Sequence, residues 1–373
     1  MSLTSKFPRV ELSHLPTPLE RLKNVSAEFA TNVWIKRDDC TGLAFGGNKS
    51  RQLEFYIGHA LAQGADTLLT TGAVQSNHVR MTVAAARKMG LEVEVQLEHR
   101  VEREQPEYHR SGNPYLVKLM GAKIHYYPEG EDEDGADRAL ETRAAELAAE
   151  GRKAYVIPLS NAHTPYGALG YVDGAEELMA QLRKIQIEPA SFIVPTGSAS
   201  THCGFLIGVR ACGSDTPVHG VCVRRDAQSQ RQRVGAKLKS VIEVTGSDIE
   251  IADDDIICDD SMLAPGYGLL NDATVAAIKY MAQREGILLD PTYSGKTFAV
   301  LLDMLRGGDF GGDDHLVFLH TGAPLRCLPT RNWWTKASWQ AWTGVANPCR
   351  DFSPRRARPA KDGCGRSGLT NFR

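Results

Sequence analysis

The chain has 373 residues, 42% of them hydrophobic and 24% charged, a composition that fits a globular chain of one large or two medium domains. A net charge of −2 removes any electrostatic case for binding nucleic acid or an anionic membrane surface. The opening "MSLTSKFPRVELSHLPTPLERL" lacks the continuous apolar stretch of a signal peptide or membrane span.

In chain order, β-rich runs alternate with helix-like ones. "NVWIKRDD" (32–39) reads as a strand and "SRQLEFYIGHALAQG" (50–64) as a helix, followed by strand "TLLTTGA" (67–73) and helix "HVRMTVAAARKMG" (78–90). Strand "EVEVQLE" (92–98), helix "NPYLVKLMG" (113–121) and strand "KIHYYP" (123–128) come next. The acidic "PEGEDEDGAD" (128–137) reads as a solvated loop leading into helix "DGADRALETRAAELAAEG" (134–151). Strand "AYVIPL" (154–159), helix "YVDGAEELMAQLRK" (171–184) and strands "SFIVPTG" (191–197), "VHGVCV" (218–223) and "HLVFLHTG" (315–322) complete the series. Several helical runs end in Gly, the expected C-cap. Strand–helix alternation with few hairpin signals predicts an α/β fold built on largely parallel sheets. The eight cysteines are scattered without a CxxC pair, so they read as buried small hydrophobes rather than a zinc site or disulfide framework, and a reducing cytoplasm is expected.

Ligands of parallel α/β sheets bind in the turns at the carboxyl ends of strands. Four turns here carry small polar and glycine residues: "GGNK" (46–49), "TGAVQSNHVR" (71–80), "PTGSASTHCG" (195–204) and "HTGAP" (320–324). The third follows an apolar strand and precedes the helix-like "FLIGVRAC". Backbone amides at such a helix start, with hydroxyls from Thr196, Ser198, Ser200 and Thr201, suit a phosphate. It is neither a P-loop nor a GxGxxG fingerprint, and a Gly/Ser turn before a helix does not by itself identify a ligand. Lys49, beside a glycine-lined turn, is a surface residue, a phosphate ligand, or an amine tuned for covalent chemistry. A phosphate cradle together with such a lysine is what pyridoxal 5'-phosphate requires, since the lysine binds the cofactor covalently and the cofactor acts as the electron sink.

"KRDDCTGLAFGGNKSRQLEF", "GAVQSNHVR", "VIP…GALGYV", "PTGSASTH", "APGYG", "EGILLDPTYSGK" and "FLHTG" occur in that order across about residues 7–324. Together they resemble the fold-type II pyridoxal-phosphate enzymes of the 1-aminocyclopropane-1-carboxylate deaminase/D-cysteine desulfhydrase family, a group that also holds L-cysteate sulfo-lyase. The resemblance implies a tryptophan synthase β-like fold of two domains with open, twisted, largely parallel sheets. The large domain would comprise 1–50 and 165–325, and the small one 51–164, with the active site in the cleft between them. It implies that Lys49 is the cofactor lysine and that Asn77 bonds the phenolic oxygen of the cofactor. Ser76 would stand near the substrate carboxylate, and the loop Thr196, Gly197, Ser198, Ala199, Ser200, Thr201 would hold the phosphate. Tyr267 and Tyr293 would line the substrate side, as candidates for carboxylate contact or proton transfer, and Ser294 would face the pyridine nitrogen. No metal is implied. A homodimer is.

The departures from the family pattern are informative. The deaminases carry Glu ("YEGK") where this chain has Ser294, and a hydroxyl there leaves the ring largely neutral. That weaker sink suffices where a good leaving group sits on Cβ, so it argues for α,β-elimination. The reaction expected is loss of a sulfur group from a small amino acid, giving pyruvate and ammonia, with Lys49 taking the Cα proton. D-Cysteine releasing sulfide is the leading substrate, and L-cysteate releasing sulfite is the alternative. Deaminase activity, and a cofactor-binding protein without turnover, are more distant readings. Gln52 stands where the family has a second lysine reaching the phosphate, Ser200 replaces the Gly of "SAGT", and "SNAHTP" replaces "GGSN". His78 and His202 read as supporting or core groups rather than catalytic ones.

After residue 325 the character changes: four of the five tryptophans and many arginines fall in a stretch without periodicity. The family continues "HTGGAPxxFAY", and deleting one G from a G-run encoding "TGGAPAVFAY" yields "TGAPLRCLP", residues 321–329 here. A frameshift near Gly322 is therefore expected for 326–373, the alternative being a genuine added segment that binds a partner or nucleic acid.

Overall fold

A computed structural model describes residues 2–102, 105–160 and 163–322. The expectations for 326–373 lie outside the described residues. Among the described residues there are ten strands: β1 (Leu19–Arg21), β2 (Asn32–Arg37), β3 (Thr67–Ala73), β4 (Glu92–Glu98), β5 (Lys123–Tyr127), β6 (Ala154–Ile157), β7 (Ser191–Thr196), β8 (Val218–Cys222), β9 (Ile257–Asp259) and β10 (His315–His320). They form a six-stranded sheet in the order β1-β2-β10-β7-β8-β9 and a four-stranded sheet in the order β5-β4-β3-β6. Every pairing is parallel except the short β1 against β2. All eight strands expected from the sequence are among them, and the α/β class holds.

The apolar runs of the large sheet are continuous because both of its faces are covered. Along β10, Val317 and Leu319 enter one core with Phe192 and Phe205, whereas Leu316 and Phe318 enter another with Val33, Ile193 and Phe298. That is the two-residue alternation of a strand, with an apolar layer awaiting each side. A third core, containing Leu68, Val93 and Val95, covers the small sheet.

Helix Tyr166–Lys184 packs against the two helices that carry the lysine turn and the hydroxyl-rich turn, Lys49–Ala62 and Ser200–Ala211. The contact is backbone-close. A Cβ on Gly170 would sit 2.1 Å from the carbonyl oxygen of Arg51, so "GALGY" needs its second glycine for this approach.

Beneath the junction lies a buried ionic network. Arg51 and Asp38, each with a side chain 1% exposed, pair at 2.9 Å, and Arg51 also meets Glu177 at 2.9 Å. Thr17 and Tyr171 each donate a 2.7 Å hydrogen bond to Asp38, and Lys36 pairs with Glu177. Burial would raise Asp38, but Arg51 and Lys36 overcome it and hold the carboxyl below its ordinary value. Removing one member leaves a dry, unpaired charge, which costs about 3–5 kcal/mol. Arg51→Met should lower stability by about that amount, read as a shift in the urea midpoint.

Candidate active site

The C-terminal ends of the strands of both sheets open on one cleft, and the lysine turn stands at its floor. Asn48 N–H donates to Thr321 O at 2.9 Å, which seats the turn on the end of β10. Thr41 Oγ1 bonds both the N–H (2.8 Å) and the C=O (2.9 Å) of Gly47. Gly46, at φ +72°, is so close to Asp39 O that a Cβ would lie 2.0 Å from it, so this position admits only glycine. Ala44 and Phe45 precede it at positive φ, a conformation costing about 1–2 kcal/mol for each L-residue. The strained turn delivers Lys49 to the cleft wall at the first residue of its helix.

Opposite stands the start of helix Ser200–Ala211. Its N-cap, Ala199, is left-handed at φ 74° and ψ −20°, and no side chain caps the helix. The first-turn amides therefore lack a side-chain acceptor, the arrangement that binds phosphate. Thr201 Oγ1 accepts from Asn48 Nδ2 at 3.0 Å and Gln52 Nε2 at 2.9 Å, and Gln52 Oε1 accepts from Lys49 Nζ at 3.1 Å. Gln52 thus links the lysine to the hydroxyl-rich turn. An amine, uncapped amides and hydroxyls converging in one cleft fit a phosphate-bearing aldehyde.

The third wall is the start of helix Asn77–Lys88. Ser76 is its N-cap, accepting from Val79 N–H at 3.2 Å. Asn77 Oδ1 accepts from Arg80 Nη1 at 2.8 Å and Asn113 Nδ2 at 3.1 Å. Arginine can only donate, so the carbonyl end of Asn77 is committed to it and the amide nitrogen is left to donate. His78 Nε2 lies 2.9 Å from Thr70 Oγ1, whose own proton goes to Ile157 O at 3.0 Å. With that proton directed to Ile157 O, the ring donates from Nε2. Burial, then the charges of Lys49 and Arg100, push its pKa down to about 3.

The fourth wall holds Tyr267 and Tyr293, whose hydroxyls are 2.8 Å apart. Lys296, fully buried, donates to Leu263 O at 2.6 Å and Gly266 O at 3.0 Å and so pins the loop before Tyr267 to the helix that follows Tyr293. Burial lowers its pKa to about 8.

Of the residues singled out from the sequence, Lys49, Ser76, Gly197, Ser198, Ala199, Thr201, Tyr267 and Tyr293 form the cleft wall. Thr196, Ser200, Asn77 and Ser294 lie just behind it. Thr196 Oγ1 accepts from Gln230 at 2.7 Å. Ser294 is 0% exposed, and its hydroxyl donates to Asp290 Oδ1 at 2.7 Å while accepting from Asp290 N–H at 2.8 Å.

Three charged wall residues escaped the sequence reading: Arg100, Arg224 and Glu133. Both arginines stand two residues beyond a strand end, β4 and β8, and that position was the available signal. Glu133 corrects the reading of the acidic stretch as a solvated loop. It is the first residue of helix Glu133–Ala149, part-buried, and pairs with Arg224, with Arg225 at 3.0 Å and with Arg233 at 2.9 Å. Burial opposes its charge, but these arginines hold it at about 2.

Among the described residues, no group of three or more His, Cys, Asp and Glu is placed to hold a metal, and no helix is long and apolar enough to cross a membrane.

Two parallel α/β sheets with a lysine facing an uncapped helix start define an enzyme that binds a phosphorylated carbonyl cofactor through an amine. Residues 10–322 match the family described as "Pyridoxal-phosphate dependent enzyme", and the chain belongs to that family. Its cofactor is pyridoxal 5'-phosphate. D-cysteine desulfhydrases of Salmonella typhi and of Salmonella paratyphi C (strain RKS4594) are each 40% identical to it over 318 residues, 85% of this chain and 94% of theirs. A solved structure described as an ACC deaminase homologue superposes with a TM-score of 0.76 at 36% identity, covering 86% of this chain and 93% of its own. O-ureido-L-serine synthase shares the fold at 16% identity, with a TM-score of 0.62 and coverage of 92% and 99%.

The neutral His78 sets a pH signature. Between pH 6.5 and about 3 the unfolded chain takes up a proton that the folded one refuses, so stability falls as pH drops through that window. His78→Gln should flatten that part of the pH–stability curve, measured by thermal melts at fixed pH steps.

Proposed function

We propose that this enzyme is a carbon–sulfur lyase of the D-cysteine desulfhydrase type, eliminating the β-sulfur of a small amino acid to give pyruvate, ammonia and sulfide. The observation that carries the reading is Lys49, presented to the cleft by a strained turn opposite the uncapped helix start. The 40% identity to D-cysteine desulfhydrases over most of both chains supports the substrate class. On this reading the two sheets belong to two domains, 1–50 with 165–325 and 51–164, and the enzyme is a cytoplasmic homodimer.

When bound, pyridoxal phosphate supplies the electron sink for a carbanion at Cα. The chain supplies everything else. The loop 196–201 and the first amides of the helix that follows it would hold the phosphate, and the amide nitrogen of Asn77 would be the donor to the ring's oxygen. Ser76, at a helix start with its partial positive charge, receives the substrate carboxylate. Lys49 Nζ, oriented by Gln52 Oε1, accepts the Cα proton. The Tyr267–Tyr293 hydroxyl pair is positioned to give a proton to the departing sulfur, whose bond to Cβ breaks with both electrons going to sulfur. His78, held neutral, adds no second cation beside Lys49 to disturb the proton transfer.

Lys49→Ala should abolish elimination and remove the bound cofactor's visible absorbance while leaving the melting temperature near wild type. Turnover at the wild-type rate would overturn the role of Lys49. A panel of D-cysteine, L-cysteine, L-cysteate and 1-aminocyclopropane-1-carboxylate should yield pyruvate and sulfide from D-cysteine, with little 2-oxobutyrate. Efficient 2-oxobutyrate formation from the cyclopropane would instead make the enzyme a deaminase.

A further inference from the structure

Arg100 stands in the cleft wall beside the Tyr267 loop, where Val101 and Gly268 pack together. Its side chain is 7% exposed. Nε donates to Glu98 Oε2 at 2.7 Å, and the other oxygen of Glu98 accepts from Thr71 Oγ1 at 2.6 Å, so the guanidinium is clamped from behind. Nη2 is buried and has no hydrogen-bond partner. The neighbouring acid does not answer it, because the oxygens of Glu133 are occupied by Arg224, Arg225 and Arg233. Arg224, the other arginine of the wall, has both terminal nitrogens engaged, Nη1 by Glu133 and Nη2 by Glu131 at 3.0 Å, and only its inner Nε is buried without a partner.

Buried side-chain donors in folded proteins nearly always meet an acceptor from the protein, an ordered water or a ligand. The phosphate has its own donors at the start of helix Ser200–Ala211, so the missing acceptor belongs to another molecule in the same cleft. We infer that the unpartnered Nη2 of Arg100 is an oxyanion subsite for the amino-acid substrate, taking either its α-carboxylate jointly with Ser76 or an acidic β-substituent such as a sulfonate. The inference rests on the reading that the substrate is a β-substituted amino acid, and it names the residue that would read that substrate's acid. Charge-assisted contacts of this kind are strong and directional, which makes Arg100 a determinant of selectivity.

The test is equilibrium binding to the cofactor-loaded enzyme, with propanoate and 3-sulfopropanoate as probes, in wild type, Arg100→Met and Arg100→Lys. Loss of the subsite should weaken binding by at least about ten-fold, as removal of one charged hydrogen bond does. Weakening of both probes alike assigns Nη2 to the α-carboxylate. Weakening of 3-sulfopropanoate alone assigns it to the β-substituent. Unchanged binding of both probes overturns the inference. Arg100→Lys keeps a cation on Glu98 and decides the matter if the Met variant does not fold. Because no turnover is needed, an enzyme that eliminates nothing from any β-substituted alanine would refute the lyase reading while leaving the binding result to stand or fall by itself.

Discussion

The pairing of Arg51 with Asp38 and Glu177 is the constraint on which the site depends. Arg51 lies two residues beyond Lys49 on the same helix. Asp38 follows β2, and Glu177 sits within helix Tyr166–Lys184, so one guanidinium ties together three stretches far apart in sequence. In a region this dry, the pair tolerates no other geometry, because any displacement leaves a charge without water or partner. The lysine is thereby delivered to a fixed place. Helix Lys49–Ala62 needs such an anchor, since Ser50 through Gly58 are all buried and no exposed face sets its rotation.

The electrostatics of the cleft are arranged by exclusion as much as by attraction. Cations surround it, yet most are spent on carboxylates: Arg224, Arg225 and Arg233 on Glu133, and Arg100 on Glu98. His78 is kept neutral, and the lysine's amine donates to the amide oxygen of Gln52. The effect is a positive but disciplined surface, in which the donors left over are few and placed: uncapped amides on one wall and a guanidinium edge on another.

Much of this was legible in the sequence. The eight strands were readable because parallel, doubly covered strands are continuous apolar runs, and the glycine turns pointed to Lys49, Ser76 and residues of the 196–201 loop, which the fold brings to one cleft. What escaped has physical reasons. β1 and β9 are three residues long, too short to show a period. Helix Ala227–Thr245 opens with the polar "AQSQRQR", and helix Ser294–Gly307 opens with Ser and Gly, so neither announces itself. A charged residue after a strand looks like a solvated one until the neighbouring wall is known, which hid Arg100 and Arg224. The acidic stretch misled for the same reason, since only the three arginines around it distinguish Glu133 from its exposed neighbours. Ser294 lies at the expected helix start, but the grip of Asp290 on its hydroxyl could not be read from spacing.

The position of β10 carries a consequence for biogenesis. It lies between β2 and β7 in the large sheet, bonded to both, although β2, whose Asn32 pairs with His315, leaves the ribosome 283 residues earlier. Until residues 315–320 emerge, β2 has only the short β1 beside it, and the nascent chain must hold an apolar strand edge open through most of translation. Sheets assembled by such late insertion close slowly, because the longest loop is sealed by the final piece. The seat of the lysine turn forms at the same moment, since Asn48 bonds to Thr321. Ribosome-bound intermediates of this protein would therefore carry a formed small sheet but no cofactor pocket, and they are the species on which chaperones would act.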